Sequence, residues 1–236
     1  MTLDFEFSAL AGDAAEARLA TRGNRVFDAI RQAIVQLQLR PGNLLSEAEV
    51  ARQLGVSRQP VREAFIKLAE VGLVEVRPQR GTFVVLISAR EVRNARFIRE
   101  AIEVAVVRKA ALEASAAQVE ILRGIVMAQE RMAAAGDHIG FLRLDEDFHE
   151  ALAHSADCDH AWRVLESLKA QMDRVRWLSM PNATPIETLI TQHRAVVDGI
   201  AARSPEAAEA AIRAHLGEIL HSLPRLAAEH PELFAD

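Results

Sequence analysis

The chain has 236 residues, half of them hydrophobic, a formal net charge of −5 and a pI near 5.9. That length suits two compact cores, one of roughly 65 residues and one of roughly 140. No run of about 18 apolar residues occurs, and the N-terminus is mixed and acidic, so neither a membrane span nor a secretion signal is expected. One cysteine, Cys158, excludes an intramolecular disulfide and fits a reducing cytoplasm, where it is expected as a small buried hydrophobe.

Residues 1–23 read as a loose tail. An apolar-periodic helix follows over 25–39, through Val26, Ala29, Ile30, Ala33, Ile34 and Leu37, and Pro41-Gly42 stops it. Ala51, Gly55 and Val61 then have helix-turn-helix spacing: a small residue lets two helices cross, a glycine allows the turn, and a β-branched residue anchors the second helix from beneath. Ser57 is placed to cap that second helix, and Val61, Ala64, Phe65 and Leu68 form its buried stripe. Its opposite face carries Arg58, Gln59 and Arg62, which suit phosphates and the edges of guanine and adenine. An ordinary helical hairpin with solvated arginines would share this pattern.

Two β-rich runs come next, 73–77 and 82–86, joined through Pro78-Gln79-Arg80-Gly81. The hairpin tip displays Arg77 and Arg80, and Gly81 could approach a backbone closely, so the tip could enter a minor groove or follow a phosphate strand. Three helices and a hairpin make a small winged domain over 24–87. Those residues hold nine Lys or Arg against six Asp or Glu, a net of +3, whereas 88–236 hold seventeen against twenty-three, a net of −6. A locally basic surface is what phosphate attraction needs, whatever the global pI.

Beyond a boundary near 86–89 no further strand is expected. Punctuation divides the rest into helices at about 89–114, 117–135, 138–155, 159–180, 185–203 and 205–222, with a break at Pro181-Asn182 and only a short helical piece after Pro224. Short loops between them predict an all-helical antiparallel bundle over 88–236.

The bundle carries a polar constellation. Asp145 and His149 lie one helical turn apart on one face, with Phe148 and Leu152 beside them, while His193 and His215 sit in the middle of two other helices. One carboxylate and three imidazoles could hold Zn2+, Ni2+ or Mn2+ with positions open to water or a ligand oxygen. Taken separately, each histidine could instead be a hydrogen-bonded or partly exposed residue, and such a site could also activate water as an enzyme would. No nucleophile beside a base, glycine-rich phosphate loop or zinc-hydrolase motif is evident. His138, His154, His160, His221 and His230 are expected on the surface.

Together these features resemble the GntR-family transcription regulators of the FadR subfamily, those with a C-terminal FCD ligand-sensing domain, over about residues 24–222. The N-terminal resemblance rests on Leu54-Gly55-Val56-Ser57-Arg58-Gln59-Pro60-Val61-Arg62-Glu63-Ala64, on Gly72-Leu73-Val74 and on the wing Pro78-Gln79-Arg80-Gly81-Thr82-Phe83-Val84. It implies that Ser57, Arg58, Gln59 and Arg62 face an operator and that Gly81 lies at the wing tip. Ala48 stands where some members carry a DNA-touching arginine, and Gln59 where threonine is frequent, so the operator sequence stays open.

The C-terminal resemblance rests on Asp145-x-x-Phe148-His149, Gln192-His193-Arg194-Ala195-Val196 and Arg213-Ala214-His215-Leu216, and it implies a divalent transition metal on Asp145, His149, His193 and His215, with Zn2+ favoured. It further implies that Arg99 and Glu103, on the first helix of that domain, serve an acidic effector. The fold implied is mainly α: a winged helix-turn-helix followed by a helical bundle. The function implied is a ligand-responsive regulator, a repressor, acting as a homodimer on a pseudo-palindromic double-stranded operator in the cytoplasm, with a small organic acid as effector and no membrane partner. The alternative is a metal-dependent enzyme acting on a small organic acid, fused to a DNA-binding module.

Overall fold

The computed structural model describes Phe7, residues 22–180 and residues 184–235, so the expected loose tail and the break at Pro181-Asn182 lie almost wholly outside the described residues. Helix α1 (Arg22–Val35) buries Val26, Ala29, Ile30, Ala33 and Ile34, one helical stripe. It stops before the expected end, because Leu37 turns to φ 56; Leu39 still reaches the core, fully buried. Helix α2 (Glu47–Leu54) starts at Ser46, whose hydroxyl accepts from the Glu49 N–H at 3.4 Å, and ends at Gly55 with φ 64, a left-handed cap that glycine adopts without Cβ strain. Helix α3 (Arg58–Glu70) buries Val61, Ala64, Phe65 and Leu68, the stripe expected from the sequence. Ser57 does stand at its N-cap, but its side chain makes no capping hydrogen bond.

The wing is a three-stranded antiparallel sheet in the order β1-β3-β2, formed by β1 (Leu44–Leu45), β2 (Val74–Arg77) and β3 (Gly81–Val84). Its register pairs Val74 with Val84, Arg77 with Gly81 and Leu44 with Phe83. The hairpin turns through Gln79, at φ 60, and the Arg80 N–H donates to the Arg77 carbonyl at 3.0 Å. Gly81 has φ 109, a conformation that favours glycine, and a Cβ there would also lie 2.5 Å from the end of the Leu44 side chain, which would have to shift. Strand β1 was not expected; two residues are too few for an alternating pattern to declare themselves.

The expectation of no strand beyond the boundary is overturned. Strand β4 (Ile87–Ser88) pairs in parallel with β5 (Phe234–Ala235), Ile87 opposite Phe234. Burial of Leu233 and Phe234 holds this C-terminal piece, after a single 3-10 turn at Pro231–Leu233.

The remaining helices are α4 (Ala89–Glu113), α5 (Ala116–Ala135), α6 (His138–Ser155), α7 (Asp159–Leu168), α8 (Ala170–Ser179), α9 (Ile186–Ala201) and α10 (Pro205–Glu229). Ser115 and Gln118 form a reciprocal capping box on α5, which ends at Gly136 with φ 68; Asp137 then accepts from the Gly140 N–H at the start of α6. The single helix expected over 159–180 is two, because Lys169 ends α7 and turns inward, its ammonium on the Glu146 carboxylate and over the Trp162 ring. The last helix also runs past its expected end, through Pro224 to Glu229.

Contacts divide the described residues into two units. One comprises the described residues up to Ala89 with Ala170–Trp177 and those from His230 on; the other comprises Arg90–Lys169 with the described residues from Leu178 to Glu229. In the first, α8 donates from Gln171 Nε2 to the Gly72 carbonyl at 2.6 Å, pairs Asp173 with Arg31 at 2.5 Å, and donates from Arg174 Nη1 to the Val85 carbonyl at 2.9 Å. Arg174 is fully buried, and burial lowers its guanidinium to about 10. The second unit has its own core around Val107, Ala110, Leu122, Phe141, Phe148, Leu152, Val196, Ile200 and Ile212. Within it α5 packs on α6 and α9, and α9 on α10.

Candidate functional site

The winged unit presents a charged face opposite its core. Ser57, Arg58, Gln59 and Arg62 are all exposed, at the start and along one side of α3, and Arg77, Arg80 and Gly81 are exposed on the wing. This is the geometry in which guanidinium and amide groups reach phosphates and base edges. Arg62 is not free on that face: its Nε and Nη2 donate to the two Glu47 carboxylate oxygens at 3.1 and 3.3 Å, a fork-to-fork pair. Gln59 Nε2 donates to Glu63 Oε1 at 2.9 Å. Arg77 lies with its guanidinium 4.9 Å from the centre of the Phe83 ring and its Nε on Glu75. Sequence spacing does not reveal the Glu47 contact, since the partners lie on different helices.

The second constellation is built by α6, α9 and α10. Asp145 and His149 project from one face of α6, as their spacing requires, and His193 from α9 and His215 from α10 meet them. Helices α9 and α10 approach closely because Gly199 has no side chain: a Cβ there would lie 2.6 Å from the Ala208 nitrogen. Phe148 closes one side, stacked on the His193 ring at 4.2 Å between centroids. All four polar residues are buried, and one ligand atom from each lies within 4.8 Å of every other. His149 Nε2 and His215 Nε2 are 3.1 Å apart, His193 Nε2 and His215 Nε2 3.3 Å, and Asp145 Oδ1 is 3.5 Å from His193 Nε2.

What surrounds these rings fixes their protonation. Gln129 Nε2 donates to the Leu144 carbonyl at 3.0 Å, which turns its Oε1 toward His193 Nδ1 at 2.8 Å. Gln192 Nε2 donates to Glu218 at 3.2 Å, turning its Oε1 toward His215 Nδ1 at 3.3 Å. Glu103 Oε2 lies 2.5 Å from His149 Nδ1. Each Nδ1 therefore faces an acceptor oxygen and carries the proton, which leaves each Nε2 a bare lone pair. Three lone pairs and a carboxylate converging at hydrogen-bond distance with no proton between them repel one another unless a cation joins them. The residues present fit a divalent metal, and outer partners on every ligand histidine are the usual accompaniment of one.

Electrostatics agree for His215. Burial, and then the neighbouring His193 and His149, push the His215 imidazolium well below its ordinary pKa. Arg99 and Glu103 stand one turn apart on α4, both buried and hydrogen-bonded to each other. Burial alone would raise the Glu103 carboxyl, but the Arg99 charge and then His149 outweigh it and hold it at about 2. Glu103 thus sits between Arg99 and His149. Sequence reasoning does not single out Gln129, and Gln192 enters it only as the neighbour of His193; the one signal for Gln129 is a glutamine on the buried face of α5.

Of the other histidines, His154 is exposed and pairs with Asp159 at 3.1 Å. Cys158 is half-buried against the core of the second unit, its sulfur 3.8 Å from Lys109 Nζ. No helix among the described residues is long and apolar enough to cross a membrane.

Residues 22–84 match the bacterial regulatory proteins of the gntR family, and residues 95–218 match the FCD domain. The HTH-type transcriptional repressor RspR of Escherichia coli K12 is 42% identical over 213 residues, covering 90% of this chain and 93% of that protein. The probable D-xylose utilization operon transcriptional repressor of Paenarthrobacter nicotinovorans is 32% identical, over 88% of this chain and 92% of its own. Among solved structures, E. coli McbR/YncC superposes with a TM-score of 0.76 at 20% identity, covering 88% of this chain and 99% of that one, a likeness of fold alone. A GntR-type chain from Rhodococcus sp. RHA1 gives a TM-score of 0.70 at 26% identity, covering 89% and 99%. The chain belongs to the GntR family of DNA-binding transcription regulators and carries an FCD domain; these relatives are named as regulators, not enzymes.

Proposed function

We propose that this regulator is a metal-dependent sensor of a small organic acid that represses transcription as a homodimer in the cytoplasm. Arg58, Gln59 and Arg62, with Ser57 at the helix start, read the major groove of each half of a pseudo-palindromic operator, and the wing residues Arg77, Arg80 and Gly81 follow the adjoining minor groove and backbone. Protein twofold symmetry would impose the palindrome. The exposure of all these groups on one unit supports the reading.

Asp145, His149, His193 and His215 hold one divalent transition metal per chain, Zn2+ first, with Ni2+ and Mn2+ as alternatives, since three imidazoles and a carboxylate accept several first-row ions. When bound, the ion supplies positive charge and an open position for a carboxylate oxygen. Arg99, held by Glu103, is the cation suited to the effector's carboxylate, and a guanidinium can donate two parallel hydrogen bonds to it. The observation that carries this reading is the convergence of three lone-pair Nε2 atoms on one carboxylate, each ring fixed from behind. Effector binding would shift operator affinity by the difference in its affinity for two arrangements of the protein.

Elemental analysis of protein purified without chelating resin tests the metal: up to one ion per chain is expected, and none once His193 and His215 are both replaced by alanine. Equal metal content in that variant and in the wild type would remove the four residues from the assignment. Operator titration of the holo-protein with and without organic acids tests the sensor, which fails if no acid changes operator affinity.

A further inference from the structure

Two of the three ligand histidines are held from behind by glutamines, Gln129 and Gln192, so an amide oxygen is sufficient to fix an imidazole in this site. The third, His149, is held by a carboxylate, Glu103. Glu103 serves two donors at once, accepting from His149 Nδ1 on one oxygen and from Arg99 Nε on the other, and it also brings a negative charge. Among the described residues of this unit the buried charged side chains are Arg99, Glu103, Asp145 and Lys169, and Lys169 is answered by Glu146. Three charges remain around the site, one positive and two negative, beside three imidazoles whose tautomers make them neutral. Resting on the divalent ion of the proposed function, the total is one positive charge. A buried site of that charge is completed by a single anion, whereas a dianion would leave an uncompensated negative charge out of water.

We infer that the effector is a monocarboxylate and that Glu103 sets this preference, by cancelling Arg99 and so holding the site to one excess positive charge. Glu103 is a specificity-determining residue that acts through Arg99 and His149. The substitution Glu103→Gln keeps one oxygen for His149 Nδ1 but gives up the acceptor for Arg99 Nε, so it frees the guanidinium and raises the net charge of the site by one. It should therefore retain the metal while turning the preference toward dianions.

The test uses full-length holo-protein, wild type and Glu103→Gln, with metal content counted in each. Binding of lactate and pyruvate is compared with that of malonate and succinate by calorimetry at fixed ionic strength and about pH 7.5, where all carboxyl groups are ionised. In wild type the better monocarboxylate should bind about tenfold or more tightly than the better dicarboxylate, the size a single unit charge a few ångströms away produces in protein. In Glu103→Gln that ratio should fall by about tenfold or invert. A wild-type preference for dicarboxylates overturns the inference whether or not the variant folds, and so does an unchanged ratio in a variant that retains its metal. Wild-type protein with no metal, or with no affinity for any of the four acids, instead overturns the proposed function on which the inference rests.

Discussion

Replacing Gly199 by alanine should damage the metal site without touching any of its polar residues. Gly199 lies on α9, six residues after His193, and a Cβ there would stand 2.6 Å from the Ala208 nitrogen and 2.8 Å from its Cα. Ordinary contact begins at 3.4 Å. The shortfall of about 0.8 Å is against backbone, which cannot swing aside as a side chain would, so α9 and α10 must separate or tilt, and overpacking of this kind costs about 1–3 kcal/mol. Helix propensity works the other way, favouring alanine over glycine by roughly 1 kcal/mol, so the net loss should be about 0–2 kcal/mol. Gly217 on α10 supplies the control. It is helical, nothing lies within 4 Å of its Cβ position, and Gly217→Ala should stabilise by about 0.5–1 kcal/mol through propensity alone. Denaturant unfolding of both variants measures the difference, about 1–3 kcal/mol with Gly199→Ala the weaker. Because α9 and α10 carry His193 and His215, Gly199→Ala should also lose metal to a competing chelator sooner than wild type. A Gly199→Ala variant as stable as Gly217→Ala, with wild-type metal retention, would refute the close-packing argument.

Arg62→Ala should weaken operator binding by about 1–3 kcal/mol if its guanidinium reads a guanine, with the fold intact because the side chain is exposed; footprinting and titration at fixed salt measure it, and unchanged affinity removes Arg62 from the reading surface. Glu47→Gln should release Arg62 from its fork-to-fork partner and raise affinity for non-operator DNA, read as a smaller ratio of operator to random-sequence binding. Removing metal by dialysis against a chelator should lower Tm, since the ion binds folded chain and ties three helices, and His193→Ala should abolish that difference. Acid should destabilise the metal-free protein through His215: its folded pKa lies below 6.5, so below about pH 6.5 the unfolded chain takes up a proton that the folded chain refuses, and stability falls by up to about 1.4 kcal/mol per pH unit. Glu103 acts in a lower window, its contribution being present above 4.5 and lost as pH falls toward about 2. Denaturation midpoints between pH 8 and pH 2 follow both, and a flat profile through pH 6 would contradict the buried neutral imidazole.

The winged unit was largely legible because its signals are local. Apolar stripes at helical spacing placed α1 and α3, Gly55 marked the turn between α2 and α3, and Pro78-Gln79-Arg80-Gly81 marked the hairpin. The misses are places where distant residues decide. A two-residue strand such as β1 or β5 exists only because another segment offers a backbone partner, Phe83 to Leu44 and Ile87 to Phe234. Lys169 ends α7 because its ammonium finds Glu146, two elements back in the chain, where periodicity alone continues the helix. Pro224 reads as a stop, yet α10 passes through it with Leu223 and Leu226 in the core, so packing outweighs the lost backbone hydrogen bond.

The metal constellation shows the same division at the scale of single atoms. Four candidate ligand residues could be named from spacing on one helix, the setting of two histidines and the family resemblance, but none of these says which ring nitrogen faces inward. That is decided by Glu103, Gln129 and Gln192, on three elements, none of them adjacent in sequence to the histidine it holds: Gln192 neighbours His193 but holds His215. Their oxygens turn three ambiguous imidazoles into three inward lone pairs, an arrangement that suits a divalent cation. The same contacts move Glu103 from a group free to meet an effector to one already committed to Arg99 and His149. An acid entering the proposed site would therefore meet the ion and the guanidinium, and the carboxylate behind them would set how much negative charge they accept.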